Sequence, residues 1–172
     1  MFLLNILFMI AASTTSIYNY NLPALNGGTI NLNSYAGKKI LLINTATQSP
    51  DAGQFAGLQQ LYNKYKDSLV IIAVPSNNFN GMEPGTNAEI QQFLQQYNLT
   101  FPVAAKTDVA GEQAHPLFVW LRHKDQNGSM DVYMRWNFTK VLIGKTGLVE
   151  RVFSPGVPPM SEAIQKAVEG KE

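Results

Sequence analysis

Two short apolar runs flank a stretch with helical periodicity in the first half of the chain. Residues 40–43 (ILLI) and 69–74 (LVIIAV) are continuous and rich in β-branched side chains, as is typical of strands covered on both faces. The apolar side chains that recur at helical spacing between them are Phe55, Leu58, Leu61, Tyr62 and Tyr65. The pattern predicts a right-handed strand–helix–strand unit with two parallel neighbouring strands.

Alternating and turn-forming residues predict hairpins on both sides of this unit. Residues 17–22 and 29–32 alternate apolar and polar side chains around a Gly-Gly turn, which predicts an N-terminal β-hairpin. Residues 140–143 and 148–153, joined by a Lys-Thr-Gly turn, predict a second hairpin near the C-terminus.

Three further helices are predicted from their starting residues. A capping box at 86–89 (TNAE) begins one, Pro116 at a first turn begins a short one, and Ser161 caps a last helix that ends at Gly170. The order of elements predicts an α/β domain of thioredoxin-like layout, with a central mixed sheet flanked by helices and an N-terminal β-hairpin.

Composition restricts the classes of function. The 172 residues are 45% apolar, enough for one ordinary domain, and 13 Lys+Arg against 12 Asp+Glu leave no basic surface for nucleic acid. No cysteine is present, so disulfides and thiolate metal sites are excluded. His115 and His123 lack metal-ligand spacing, and we expect neither a metal nor a cofactor.

The first residues read as a separate segment. Residues 2–12 are almost wholly apolar and are followed by small residues, as in a signal peptide, but no Lys or Arg precedes them. We expect residues 1–15 to be a leader and 16–172 the mature domain, exported to the periplasm or secreted, with no stable membrane association after removal of the leader. The alternative is a buried N-terminal strand or helix in a cytoplasmic protein.

Polar residues follow the two central strands at the edge where a ligand would bind. Ser49 and the segment 76–78 lie just past the predicted strand ends, and Trp136 and Asn137 precede the strand that starts near Lys140. Ligands of open parallel sheets sit beyond the carboxyl ends of the strands. We therefore expect Ser49, Asn78, Trp136 and Asn137 to meet around one shallow pocket at a helix N-terminus.

Several short motifs, in the same order along nearly all of residues 16–170, resemble the glutathione peroxidase family. Among them are NTATQSP at 44–50, PSNNF at 75–79, EPGTNAEI at 83–90 and WNF at 136–138. The resemblance places Ser49 at the position of the reactive Cys or selenocysteine and Asn78 at that of a Gln, while Trp136 and Asn137 match directly. It implies a hydroperoxide substrate and a thiol reductant, glutathione or thioredoxin.

The departures from the family pattern predict a loss of turnover. A thiolate cleaves peroxide by becoming a sulfenic acid, and a serine hydroxyl has no such oxidised state. Asn78 is shorter than Gln, Pro50 takes a Gly position, and the helix near Leu94 and Gln95 has no resolving thiol. The residues leave open whether Ser49 is native or replaces Cys or selenocysteine.

Other interpretations of the same residues give a different class of protein. Ser49 could be a turn or N-cap serine before the helix near Gly53, and the chain could be a non-catalytic thioredoxin-fold binding or regulatory protein that kept the pocket. A Ser49 hydrolase ranks last, because no histidine lies near it in sequence. Tetrameric relatives carry a longer insertion around residues 122–135, so the resemblance implies a monomer or weak dimer.

Overall fold

The computed structural model describes residues 15–171, and the predicted leader, apart from Thr15, lies outside them. The strands are β1 (Asn21–Pro23), β2 (Thr29–Asn31), β3 (Lys39–Thr45), β4 (Leu69–Pro75), β5 (Lys140–Ile143) and β6 (Val149–Phe153). The helices are α1 (Gln54–Tyr65), α2 (Asn87–Leu94), α3 (Pro116–Arg122), α4 (Lys124–Asn127) and α5 (Glu162–Glu169). None of the helices within residues 15–171 is long and apolar enough to cross a membrane.

The main sheet has four strands in the order β4-β3-β5-β6. β3 and β4 are parallel along their whole length, which confirms the predicted central pair. β5 runs antiparallel to β3, with Lys140 opposite Ile43, and β6 completes the predicted hairpin. The start of β5 therefore lies at the edge where β3 and β4 end, and the sheet is mixed as predicted.

The N-terminal hairpin is present but shorter than its sequence pattern predicted. β1 and β2 pair antiparallel, whereas Ile17–Asn19 form a 3-10 turn rather than a strand. The Ser16 hydroxyl accepts a hydrogen bond from the Tyr18 N–H at 3.3 Å, and Ile17 is fully buried. A capped turn that buries one apolar side chain reproduces the alternation of a strand over three residues, which explains the difference.

The continuous apolar runs reflect a sheet that is covered on both faces. In β3, Ile40 and Leu42 belong to a cluster with α3, whereas Leu41 and Ile43 pack with α1 and α5 on the other face. Burial on both sides favours apolar side chains along residues 40–43, and the polar residues Lys39, Asn44 and Thr45 lie at the two ends of the strand. The three helix starts also agree with their sequence signals, and both halves of the Thr86–Glu89 capping box are formed.

Candidate functional site

Ser49 lies in the turn that joins the carboxyl end of β3 to α1. Its hydroxyl accepts a hydrogen bond from the Asp51 N–H at 3.2 Å, and its carbonyl accepts one from the Ala52 N–H at 3.0 Å. The side chain is only 5% exposed. Gly53 is the residue that precedes the first turn of α1, so Ser49 stabilises the connecting turn rather than the helix end itself.

A buried carboxylate, which the sequence analysis missed, holds the start of this turn. Glu83 is fully buried and accepts two hydrogen bonds from Thr47, from the backbone N–H at 2.8 Å and from the hydroxyl at 2.6 Å. The Asn77 amide oxygen accepts a hydrogen bond from the Glu83 N–H at 2.9 Å. Burial raises the pKa of the Glu83 carboxyl, while the bonds from Thr47 oppose that rise. A single Glu before Pro84 and Gly85 belongs to no periodic pattern that would predict its burial.

The amide of Asn78 is hydrogen-bonded within its own loop and to the 108–110 segment. The Oδ1 atom accepts hydrogen bonds from the Ser76 hydroxyl at 2.7 Å, the Val109 N–H at 2.7 Å and the Ala110 N–H at 3.2 Å. The Nδ2 atom donates to Asp108 Oδ1 at 2.9 Å. The amide thus fixes the loop that follows β4 to the 108–110 segment, and it makes no hydrogen bond to Ser49, Trp136 or Asn137.

Trp136 and Asn137 contact the turn formed by residues 79–82. The Trp136 ring, in a residue 37% exposed, has its centroid 6.2 Å from that of Phe79. Asn137 is fully buried, and its Nδ2 donates to the Phe79 carbonyl and to Met82 Sδ, both at 3.4 Å. Asn137 Oδ1 has no hydrogen-bond partner within residues 15–171.

The 79–82 turn also reaches the segment that carries Ser49. The carbonyl of Met82 accepts a hydrogen bond from the N–H of Gln48 at 3.1 Å. Three segments that are distant in sequence are therefore brought to one edge of the sheet. Of the four predicted site residues, Trp136 and Asn137 are joined to the Ser49 segment through this turn, and Asn78 faces a different loop. Their catalytic roles stay predictions.

Lys140 is a second buried charge that the sequence analysis took for an ordinary strand residue. Its side chain is fully buried, and Nζ donates to the Phe138 carbonyl at 2.9 Å and the Pro155 carbonyl at 3.0 Å. Burial lowers its pKa to about 8, against the opposing charge of Asp51. Phe138 has a left-handed backbone, with φ of 65°, and its N–H donates to the Asn44 carbonyl at 2.7 Å.

The chemistry open to these groups is narrow. His115 Nδ1 accepts a hydrogen bond from the Leu117 N–H at 3.3 Å at the start of α3, so this imidazole is occupied as a helix cap. Within residues 15–171 no cluster of three or more His, Asp or Glu residues could hold a metal ion. A cavity of about 390 Å³ lies beside the turn; Thr47, Gln48 and Glu83 line one side of it.

The mixed sheet, the flanking helices and the turn after β3 define a thioredoxin-like protein. The family model described as glutathione peroxidase matches residues 17–122, and the chain belongs to the glutathione peroxidase family. It is 40% identical to a glutathione peroxidase homolog, BsaA, of Staphylococcus epidermidis, over 90% of this chain and 97% of that protein. It is 38% identical to a glutathione peroxidase of Lactococcus lactis, over 88% and 98%.

Solved structures agree with this assignment. The crystal structure of Trgpx in its apo form superposes with a TM-score of 0.68 at 29% identity, and the match covers 91% of this chain and 97% of that one. The thioredoxin-like fold predicted from the order of the elements, and the family resemblance, are confirmed.

Proposed function

We propose that this member of the glutathione peroxidase family does not turn over hydroperoxides, because Ser49 occupies the position of the reactive sulfur or selenium. In the thiol reaction the sulfur attacks one peroxide oxygen, so that a sulfur–oxygen bond forms and the O–O bond breaks. The other oxygen leaves as an alcohol or water, and the sulfur is oxidised to sulfenic acid. A serine oxygen cannot be oxidised in this way, and none of the 172 residues is a cysteine. The absence of any thiol is the observation that carries the proposal.

The surroundings of Ser49 support the same conclusion. A hydroxyl nucleophile needs a general base within hydrogen-bond reach. Within residues 15–171 no basic side chain accepts a hydrogen bond from the Ser49 hydroxyl, whose one hydrogen bond comes from the Asp51 N–H, and His115 is engaged at the start of α3. The site therefore lacks the general base that hydrolysis by a serine nucleophile would need.

A second candidate function is the binding of a small polar molecule without chemistry. The partly exposed Trp136 next to Phe79, and the unpaired Oδ1 of the buried Asn137, favour a retained binding site. Buried amide oxygens are nearly always hydrogen-bonded in folded proteins. Binding of glutathione or an alkyl hydroperoxide is expected to change the fluorescence of Trp136, and W136F serves as the control because it leaves only the fully buried Trp120.

A coupled assay tests the loss of turnover. Hydrogen peroxide or an alkyl hydroperoxide is supplied with glutathione and its reductase, or with thioredoxin and its reductase, and NADPH oxidation is followed. The chain is expected to give no rate above the enzyme-free background. Turnover within about tenfold of a cysteine-dependent relative assayed in parallel would contradict the proposal; the expected loss is the several orders of magnitude that removal of a nucleophile brings.

Export remains part of the proposal. The apolar length of residues 2–12 and the small residues after them support a cleavable leader, which would deliver the domain to the periplasm or the medium. N-terminal sequencing of the protein purified from its source is expected to find a start near residue 16. A mature protein that still begins at Met1 in the cytoplasm would contradict export.

A further inference from the structure

Lys140 is unusual because its buried charge has no carboxylate in direct contact, although the charge of Asp51 acts on it from farther away. Within the described residues no carboxylate lies within 4.0 Å of Nζ, and its two hydrogen bonds go to neutral carbonyls. An unpaired buried charge costs folding free energy, so a protein that retains one often uses it at a functional site. Lys39, the other buried lysine, has Glu150 at 2.8 Å.

The two carbonyls that Lys140 binds belong to the segments around Ser49. Phe138 directly follows Asn137, and Pro155 follows β6. The Pro155 carbonyl also accepts a hydrogen bond from Gln54 Nε2 at 2.9 Å, and the same nitrogen donates to Asp51 Oδ1 at 3.1 Å. Lys140 is therefore joined through Pro155 and Gln54 to Asp51, whose N–H binds the Ser49 hydroxyl.

We propose that Lys140 is a positioning residue for position 49: its ammonium fixes the turns on either side and supplies the positive charge that favours an anion there. The inference rests on the assignment of Ser49 to the reactive position of the family. A thiolate there would be stabilised by a buried positive charge, because Coulomb interactions are strong where water is excluded. In the present chain the neutral hydroxyl leaves that charge unused.

Three charged groups define the electrostatics of this position. Asp51 lies on the same turn, Glu83 is hydrogen-bonded to Thr47 two residues before Ser49, and Lys140 is linked to Asp51 through Pro155 and Gln54. The two carboxylates oppose an anion at position 49, and Lys140 favours one. The charge of Lys140 is thus expected to decide whether a thiol at this position is acidic.

The test uses the full chain with S49C, in which a reactive thiol reports on its surroundings. The pKa of that thiol is measured from the pH dependence of its alkylation by iodoacetamide, in S49C alone and with K140M, K140R or K39M added. Lys39→Met is the matched control, because it removes a buried lysine from the opposite end of the sheet. Circular dichroism and thermal unfolding report whether each variant is folded.

Lys140→Met is expected to raise the thiol pKa by about one unit or more, whereas Lys140→Arg and Lys39→Met leave it nearly unchanged. The pH profile of thiol alkylation in S49C/K140R gives a second readout that does not depend on the folding of the K140M variant. The coupling is mutual, so a thiolate at position 49 is expected to raise the pKa of Lys140 above the value of about 8 that it has beside a serine hydroxyl. K140R keeps the positive charge, so the pH profile of S49C/K140R is expected to match that of S49C closely.

Three results would overturn the proposal. The first is an equal thiol pKa in S49C and in folded S49C/K140M. The second is a thiol pKa in S49C/K39M that rises as far as it does in S49C/K140M. The third is a thiol pKa in folded S49C/K140R that lies more than about one unit above that of S49C. None of these results bears on whether the unaltered chain turns over peroxide, which the coupled assay decides separately.

Discussion

The buried carboxylate of Glu83 receives both polar hydrogens that Thr47 can offer, the backbone N–H at 2.8 Å and the hydroxyl at 2.6 Å. This pair ties the segment before α2 to the turn that carries Ser49. Glu83 is fully buried and Thr47 is half-buried, so removal of the carboxylate leaves Thr47 with only partial access to water. The pair is therefore expected to matter more for stability than an exposed hydrogen bond of the same length.

Glu83→Ala is expected to lower the free energy of unfolding by about 2 kcal/mol, because it leaves the N–H of the half-buried Thr47 without its acceptor. Glu83→Gln is expected to cost less than about half of that, since an amide oxygen can still accept from the N–H and the Thr47 hydroxyl can reorient. Urea unfolding of the three proteins measures both differences. Equal stability of the Ala variant and the unaltered chain would show that the pair contributes nothing.

The same carboxyl gives stability a definite dependence on pH. Burial raises the pKa of Glu83, so the folded protein binds this proton more tightly than the unfolded chain does. Lowering the pH from about 7 is expected to stabilise the unaltered chain relative to E83Q, and the gain is complete below the unfolded pKa of about 4.5. Glu89 is the opposite control: hydrogen bonds from Thr86 lower its pKa, so its contribution is lost as the pH falls.

Asn78 is expected to matter for stability and not for reactivity at position 49. Asn78→Ala removes the acceptor of the Val109 and Ala110 N–H groups and should cost about 1–3 kcal/mol in urea unfolding. In the S49C background it should leave the rate of reaction with hydrogen peroxide within about twofold, because the amide faces the 108–110 loop.

Asn137→Ala in the same background provides the comparison for that prediction. Asn137 joins the Ser49 segment through the 79–82 turn, so its loss is expected to slow the reaction with peroxide by about tenfold or more. Stopped-flow mixing at equal thiol concentration measures both rates. A large loss in N78A with none in N137A would reverse the roles assigned to the two amides.

The chain is expected to be a monomer or a weak dimer. The large apolar side chains that are substantially exposed within residues 15–171 are Tyr133, Trp136, Leu148 and Val152. Four such side chains do not make the large apolar surface that stable oligomers bury. Light scattering of the full 172-residue chain is expected to return a mass between 19.0 kDa and twice that value, and a stable species of four times 19.0 kDa would contradict the prediction.

The sequence was sufficient for features that depend on neighbouring residues. The buried runs of β3 and β4 and the capping box of α2 were predicted because periodicity and capping act within a few residues. The prediction of a strand over the first half of residues 17–22 was wrong. A 3-10 turn at Ile17–Asn19 shows the same alternation of apolar and polar side chains over so short a span.

The parts of the site that the sequence missed depend on tertiary contacts. The amide of Asn78 binds Asp108, which lies 30 residues away along the chain, and no local pattern indicates that partner. Lys140 and Glu83 were missed because charged residues are rarely buried, so that their exposure is the default expectation. Their burial follows from carbonyl and hydroxyl partners that only the folded chain brings together.

The central claim is that Ser49 removes the first step of peroxide chemistry, the oxidation of residue 49, from a site whose surroundings would still activate a thiol. The unaltered chain, S49C and S34C are each treated with one equivalent of hydrogen peroxide, and sulfenic acid is trapped with dimedone and located by mass spectrometry. Ser34 is exposed and precedes β3, at the opposite end of the sheet, so S34C measures the reactivity of an ordinary surface thiol. The predicted result is rapid modification at position 49 in S49C, at least about tenfold faster than in S34C, and no modification of the unaltered chain. Equal rates in S49C and S34C would contradict the claim, because the surroundings of position 49 would then no longer activate a thiol.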